Sequence, residues 1–230
     1  MASQTLLHVA LQGDNICGLA ASMRLIDVTV PLDENLPTYP QNTPFSIEPI
    51  KRLARGDSSN VSTLHMGAHS GTHVDAPRHF FDTGPGAEAL PLDLLIGRTR
   101  VIEVRSRHGV AAEDFAGVDL SDDVRLLIKT QNSWLWDSKE FHPDYVGVTE
   151  SGARHLVEHG VKVLGVDYLS VEVFDAPGKP AHHVLLGAGT IVIEGLNLRN
   201  VDPGVYEMFC LPLRVVGSDG APARVILRRS

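Results

Sequence analysis

Hydrophobic and polar residues alternate along several short segments of the chain, a pattern typical of strands that bury one face. The first segment, RLIDVTVPL, alternates from Leu25 and ends at Pro31. Apolar runs bounded by polar residues, as in strands buried on both faces, follow in RTRVIEVRS and VRLLIKT. GAGTIVIEGL, VYEMFCLPLRVVG and ARVILRR continue this strand-like character to the end of the chain. The pattern therefore predicts a substantial sheet.

Two further segments refine this interpretation. SIEPIKRLA resembles a strand, but Pro49 favours an edge position or a bulge. TESGARHLVEHG predicts a helix, because it opens at Thr149, has apolar residues at helical spacing and ends at Gly160, which suits a C-cap. VKVLGVD then predicts a strand directly after the helix. Strands outnumber helices, so the predicted class is a mixed α and β fold around one sheet.

Length and composition indicate one globular domain. The chain has 230 residues, of which 43% are hydrophobic and 21% charged, as in ordinary globular proteins. The net charge of -8, without a basic cluster, argues against nucleic acid as a partner. No apolar run reaches the length of a membrane span.

The beginning of the chain differs from the rest. Residues 1–22 contain no Lys or Arg, so they lack the charged region of a signal peptide. We interpret them as a flexible extension or an upstream start, with the domain at residues 23–230. Cys17 and Cys210 lie far apart and match neither a zinc ribbon nor a disulfide framework, which favours the reducing cytoplasm.

The window HSGTHVDAPRH contains four side chains that bind metals. His69, His73, Asp75 and His79 all have odd numbers, so in an extended chain they leave the same face. His73 and Asp75 would lie about 7 Å apart at Cα, close enough to reach one cation. The spacing predicts a metal site, although a single histidine in a loop is usually just a polar residue.

The same window must bend if its histidines are to share an ion. His69 and His73 would be about 13 Å apart in a fully extended chain, which is too far for ligands that each lie about 2 Å from the metal. Gly71 permits the bend, and Pro77 has the same effect before His79 by excluding helix at the preceding residue.

The ligand types indicate which metals fit. Imidazole and carboxylate together suit Zn²⁺, Mn²⁺ or Fe²⁺, and the absence of nearby cysteine favours a catalytic over a structural ion. His65 shares the odd numbering but lies further from the bend, so it is a weaker candidate, for orienting a ligand.

The motif H-x-G-T-H-x-D-x-P-x-H, matched from His69 to His79, resembles the signature of the cyclase-like metal-dependent hydrolases, which include bacterial kynurenine formamidase and isatin hydrolase. DVTVPL, GVDYLSVE, HHVLLGAGTIVIEGL and CLPLRVVGSDGAPARVILR resemble family segments in the expected order. The resemblance implies an α/β fold, a swivelling β/β/α-type single domain with a β-rich core. It also implies a homodimer or larger homo-oligomer.

The resemblance further implies one or two divalent ions per chain, zinc or manganese. His69, His73 and Asp75 would hold the first, and Asp75, His182 and Glu194 the second where it is present. Strand alternation would turn His182 and His183 to opposite faces, so at most one of them is a ligand. His182 is preferred because its distance in sequence to Glu194 matches the family. His79 resembles the family's proton-transfer residue, with a role as a ligand to the second ion left open.

These residues suggest metal-assisted hydrolysis of a small aromatic amide, with N-formylkynurenine as the first candidate substrate. Trp134 and Trp136 could stack on its ring or pack beneath their loop, and Phe80 could line the pocket. Alternatives are a hydrolase of a cyclic amide or lactone, a metal-dependent cyclase or dehydratase, and a non-enzymatic metal- or ligand-binding module. A serine nucleophile is weakly supported, because Ser70 and Ser170 lack a nucleophile-elbow context.

Overall fold

The computed structural model describes residues 24–122 and 124–229, so the predicted extension at residues 1–22 lies outside the described residues. Within them the chain forms ten strands: β1 Leu25–Asp27, β2 Ser46–Lys51, β3 Val61–His65, β4 His73–Asp75, β5 Ile96–Glu103, β6 Arg125–Lys129, β7 Val163–Val166, β8 Ile191–Glu194, β9 Gly204–Pro212 and β10 Gly220–Arg229. The α-helices of this part of the chain are α1 Leu92–Leu95, α2 Glu150–Glu158 and α3 Pro180–Gly187.

Seven of the strands close into a barrel. Its order is β10-β4-β8-β7-β6-β5-β9, and β9 pairs back onto β10. Strand β1 pairs with the end of β10, whereas β4 pairs with its beginning. The neighbours β5, β6, β7 and β8 are parallel, whereas the remaining pairs are antiparallel. The observed architecture is a single α/β domain with a β-rich core, which confirms the predicted fold class.

The core has two parts, one on each side of the barrel wall. Because successive strand residues point to opposite faces, Leu126 and Ile128 of β6 pack outward against α2 and α3, while Leu127 packs into the barrel interior with Met208. None of the helices in residues 24–122 and 124–229 has both the length and the apolar character needed to span a membrane.

Helix α2 forms for the local reasons that the sequence indicates. The Thr149 side chain accepts a hydrogen bond from the Gly152 N–H, as an N-cap does. Gly160 follows the helix with φ of +82°, the left-handed conformation that commonly ends a helix. The apolar side of α2 buries Leu156 against the barrel.

Strands β2 and β3 form a separate antiparallel hairpin that pairs with no barrel strand in the described part of the chain. The pairing register shifts between Pro49 and Lys51, where proline interrupts the hydrogen-bond ladder. The hairpin exposes several large apolar side chains, which are Ile47, Ile50, Val61 and Leu64, together with Leu53 just beyond β2.

Candidate metal centre

Strand β4 delivers His73 and Asp75 into the middle of the barrel wall. It lies between β10 and β8, where Asp75 is opposite Gly220 and His73 is opposite Glu194. Residues two apart on a strand share a face, and directly opposed residues do as well. The backbone pairing therefore brings His73, Asp75 and Glu194 to one side of the sheet.

The chain bends on both sides of β4. Gly71 has φ of +60°, and a Cβ there would lie 2.6 Å from Cδ2 of Leu32. This bend returns His69 to Asp75, with 2.9 Å between Nδ1 and Oδ1. A short 3-10 turn, Pro77–His79, follows β4 and places the His79 ring 4.0 Å from the His69 ring.

Helix α3 supplies His182. The expectation of strand alternation at His182 and His183 is wrong, because both residues lie in this helix. A helix also separates adjacent side chains, by about 100°, so only one of them faces the site. His182 is buried at 4% exposure, while His183 is exposed and packs near the ring of Phe81.

The donor atoms of these residues converge. Oδ1 of Asp75 lies 3.4 Å from Nε2 of His73, and Oδ2 of Asp75 lies 3.7 Å from Nε2 of His182. Glu194 spans the same two histidines, with 3.3 Å from Oε2 to His73 Nε2 and 3.3 Å from Oε1 to His182 Nε2. Tetrahedral ligands about 2.1 Å from a zinc ion are roughly 3.4 Å apart. The spacing thus suits divalent cations.

Two atoms at the centre of this cluster have no hydrogen-bond partner. They are Nε2 of His73 and Oδ2 of Asp75, and both are buried. A buried polar group usually has a partner, since leaving it unsatisfied costs about 1–3 kcal/mol. Imidazole nitrogen and carboxylate oxygen are ligands for Zn²⁺ and Mn²⁺. The residues present therefore fit a metal ion.

The carboxylates and histidines of the cluster shift one another's pKa values. Burial disfavours the imidazolium of His73, but the carboxylates of Asp75 and Glu194 outweigh burial and raise the pKa of His73 to about 10. Burial likewise opposes charge on His182, and Glu172 and Glu194 raise its pKa to about 10. Burial would raise the pKa of Asp75, yet its histidine neighbours hold it well below the ordinary value. The cluster favours ionised carboxylates that attract cations.

His79 differs from the other histidines of the site. Burial lowers its pKa below the ordinary value, despite the attraction of the nearby carboxylates. Its side chain remains 30% exposed and lines a cavity that His182 and Glu194 also line. His79 is therefore neutral at neutral pH and open to a bound molecule.

Sequence reasoning missed two carboxylates that hold the histidines in place. Oε2 of Glu172 lies 3.0 Å from Nδ1 of His182 and also accepts the His182 backbone N–H. Oδ2 of Asp219 lies 2.9 Å from Nε2 of His69 and 3.7 Å from Nδ1 of His79. Both acids belong to segments that resemble the family, GVDYLSVE and SDGAPARVIL, which is the signal that points to them.

A cavity of about 380 Å³ opens onto the cluster. Its lining includes His69, His182 and Glu194. Phe80 also lines it, and its ring stacks on the His182 imidazole at 4.5 Å. The cavity therefore combines polar ligand side chains with an aromatic wall, as small-molecule sites commonly do.

Several candidate residues lie away from this cavity. Trp134 is 61% exposed, with the Arg199 guanidinium 4.5 Å from its ring. Trp136 packs against Tyr168 and donates its indole N–H to the Leu196 carbonyl. Of the two alternatives for this residue, it therefore packs beneath its loop. His65 is on the β2–β3 hairpin, where it contacts Glu48. The structure does not bring these three residues to the metal cluster.

Comparison with known proteins gives a consistent result. The cyclase family model, described as "Putative cyclase", matches residues 26–173. Kynurenine formamidase of Geobacillus thermodenitrificans is 37% identical, over 89% of this chain and 97% of that protein. Cyclase-like protein 2 of Oryza sativa subsp. japonica is 38% identical, over 91% of this chain and 81% of that protein.

Solved structures show the same fold. A structure described as a potential metal-dependent hydrolase with cyclase activity has a TM-score of 0.79 and 33% identity, and the match covers 91% of this chain and all of that one (100%). Isatin hydrolase A from Labrenzia aggregata has a TM-score of 0.74 at 24% identity, over 90% of this chain and 93% of that chain, and shows the fold alone. These similarities confirm the resemblance read from the histidine motif, and the chain belongs to the cyclase family.

Proposed function

We propose that this protein is a metal-dependent arylformamidase that hydrolyses the C–N bond of an N-formyl aromatic amine such as N-formylkynurenine. The observation that carries the proposal is the cluster of His73, Asp75, His182 and Glu194, with unpartnered buried ligand atoms at the base of a cavity. The similarity to kynurenine formamidases over most of the chain supports the choice of substrate.

The proposed ligands divide between two positions that share Asp75. Oδ1 of Asp75 faces His69 and His73, whereas Oδ2 faces His182, which together with Glu194 completes the second position. We propose Zn²⁺ or Mn²⁺, with one or two ions per chain. When bound, the ion would activate water at neutral pH and polarise the substrate carbonyl.

His79 is the proposed proton carrier. Hydrolysis of a formamide requires a base that takes a proton from water and an acid that returns it to the departing amine nitrogen. His79 suits both steps, because it lines the cavity and burial keeps it neutral by lowering its pKa. Asp219, with Oδ2 3.7 Å from Nδ1 of His79, would orient the ring and stabilise its protonated form.

The aromatic wall supports an aryl substrate. Phe80 presents an apolar surface beside the proposed ligands, and aromatic rings pack favourably in offset or edge-to-face arrangements. A cavity of about 380 Å³ is at the small end of the range for ligand pockets. A substrate with one aromatic ring therefore matches it.

We also propose that the protein assembles as a homo-oligomer in the cytoplasm. The β2–β3 hairpin pairs with no other strand of the described residues and exposes apolar side chains, and an isolated hairpin is marginally stable unless something packs against it. Cys210 is a buried free thiol among the described residues, which suits a reducing compartment.

The test is release of free aromatic amine from N-formylkynurenine by purified protein, after chelation and again after addition of Zn²⁺ or Mn²⁺. We expect chelation to abolish turnover and the metal to restore it. His79→Gln should bind metal normally but lose about 100-fold or more in kcat, the usual contribution of general acid–base catalysis. Metal-loaded wild type that releases no amine would overturn the arylformamidase assignment and direct the search to cyclic amides and lactones.

A further inference from the structure

Lys179 stands at the cavity, three residues before His182 in sequence, and nothing in the proposed chemistry uses it. It precedes the first residue of α3 and has φ of +49° and ψ of +55°. This left-handed conformation is uncommon for residues other than glycine, and such conformations are often found at functional sites. Within residues 24–122 and 124–229, no other lysine or arginine lines the cavity.

The Lys179 ammonium has no ion-pair partner among the described residues. The two carboxylates that line the cavity, Glu172 and Glu194, contact other groups. Glu172 accepts hydrogen bonds from the Ala181 and His182 backbone N–H groups and faces the His182 ring, while Glu194 faces two histidines. Among the described residues, Lys179 is therefore a positive side chain of the cavity wall that no carboxylate neutralises.

The loop around Gln41 adds neutral hydrogen-bond donors to the same cavity. Gln41 and Asn42 both line it, and Gln41 is a second non-glycine residue with positive φ, at +74°. A turn closed by the Asn42 N–H and the Tyr39 carbonyl, 3.0 Å apart, holds this loop. Tyr39 in turn packs edge-on against Phe141 at 5.4 Å. Side-chain amides and an ammonium group are together donors suited to a carboxylate.

We propose that Lys179 is a specificity-determining residue that binds a carboxylate carried by the substrate away from its scissile amide. This inference rests on the proposed function, and it names the substrate class more closely as anionic or zwitterionic aryl formamides. A carboxylate paired with Lys179 is kept from the His73, Asp75, His182 and Glu194 cluster, so that the amide carbonyl can occupy the cluster instead. Neutral aryl formamides would gain nothing from this contact.

The experiment compares two substrates and three variants. N-formylkynurenine carries the carboxylate, and 2'-formamidoacetophenone has the same aryl formamide but a methyl group in place of the α-amino acid, so it has neither the carboxylate nor the ammonium, and a lysine would not attract the latter. Lys179→Met removes the charge but keeps a Cβ at the same left-handed position, so the conformational strain of the backbone is unchanged. Lys179→Arg restores the charge, and Lys162→Met is the matched control, because Lys162 is exposed and is not among the residues that line the cavity.

We expect Lys179→Met to raise KM for N-formylkynurenine about tenfold or more, the usual effect of losing a charge-assisted contact. Its kcat/KM for the neutral substrate should stay within twofold of wild type. Lys179→Arg should recover most of the loss, and Lys162→Met should change neither substrate. Equal effects of Lys179→Met on both substrates, or no effect on either, would overturn the proposal.

A binding measurement separates this inference from the proposed function. Kynurenine and 2-aminoacetophenone, the corresponding amines with and without the α-amino acid group, are titrated calorimetrically into metal-loaded wild type and Lys179→Met. A loss of about tenfold in kynurenine affinity alone supports the role of Lys179 even if wild type hydrolyses neither formamide. Unchanged kynurenine affinity, or equal loss for both amines, contradicts it.

Discussion

Asp75 is the residue on which the whole centre depends, because each of its oxygens faces a different group of ligands. Its side chain is fully buried at 0% exposure, and ionised carboxylates are rarely placed there without partners. Here two histidines and the cation that the unpartnered atoms imply would offset its charge. Burial of the Asp75 carboxylate therefore favours a positive partner at this site.

Glu172 lies one step further from the proposed metal position, behind His182. Its carboxylate fixes the His182 ring through Nδ1, at 3.0 Å, which leaves Nε2 directed at Asp75 and Glu194. Carboxylates that orient a histidine ligand typically contribute about 10- to 100-fold to metal affinity.

We predict that Glu172→Gln lowers Zn²⁺ affinity by about 10- to 100-fold, because an amide holds the ring less strongly than a carboxylate does. Competition against a coloured chelator measures the change. Glu158→Gln is the matched control, since Glu158 is exposed on α2 and should leave affinity unchanged. Wild-type affinity in Glu172→Gln would show that Glu172 does not orient the ligand.

At the scale of elements, the centre depends on how closely β4 and β8 approach each other at their ends. Gly195 directly follows Glu194, and a Cβ at Gly195 would lie 2.1 Å from the carbonyl oxygen of Gly71. The Thr72 hydroxyl donates to the Gly195 carbonyl at the same point. The two turns that flank the ligand residues are thus packed backbone against backbone.

We predict that Gly195→Ala destabilises the protein by about 3 kcal/mol or more, because strain in the backbone adds to the usual cost of a side chain at positive φ. Gly189→Ala is a close control, since φ is +73° at Gly195 and +74° at Gly189, where an added Cβ would meet nothing within 4 Å. It should cost only about 1 kcal/mol. Urea unfolding measures both, and equal losses would contradict the close approach.

The elements also show why some parts of the site were predictable from sequence. His69 to His79 are neighbours in the chain, so Gly71, Pro77 and the spacing of the ligands carry the geometry locally. Helix α2 has a Thr149 cap that can be recognised. Helix α3 has only eight residues and no side-chain cap, so the sequence carries no helix signal around His182 and its helical position is not evident.

The remaining parts of the site depend on long-range pairing. Glu194 reaches His73 through the β4–β8 register, and Asp219 reaches His69 from 150 residues further along the chain. A single strand's pattern gives its buried face but not its neighbour in the sheet. Family resemblance supplied Glu194 and His182, while the folded barrel shows which histidines Glu172 and Asp219 contact.

At the scale of the whole molecule, the β2–β3 hairpin pairs with no barrel strand among residues 24–122 and 124–229. Ile47 lies directly opposite Leu64, so these two side chains share one face, and they are 46% and 55% exposed. On the other face, Glu48 lies opposite Thr63. The exposed apolar pair of Ile47 and Leu64 is suited to contact between copies of the chain.

We therefore predict that wild type is a homo-oligomer and that Leu64→Lys shifts it toward monomer, since a buried unpaired ammonium opposes association. Sedimentation velocity across a range of protein concentrations measures the shift. Thr63→Lys introduces the same charge one residue away, on the face that carries Glu48, and should leave the assembly intact. A monomeric wild type, or equal dissociation by both variants, would show that this apolar face is not the contact, because only Leu64→Lys places the charge between Ile47 and a second copy.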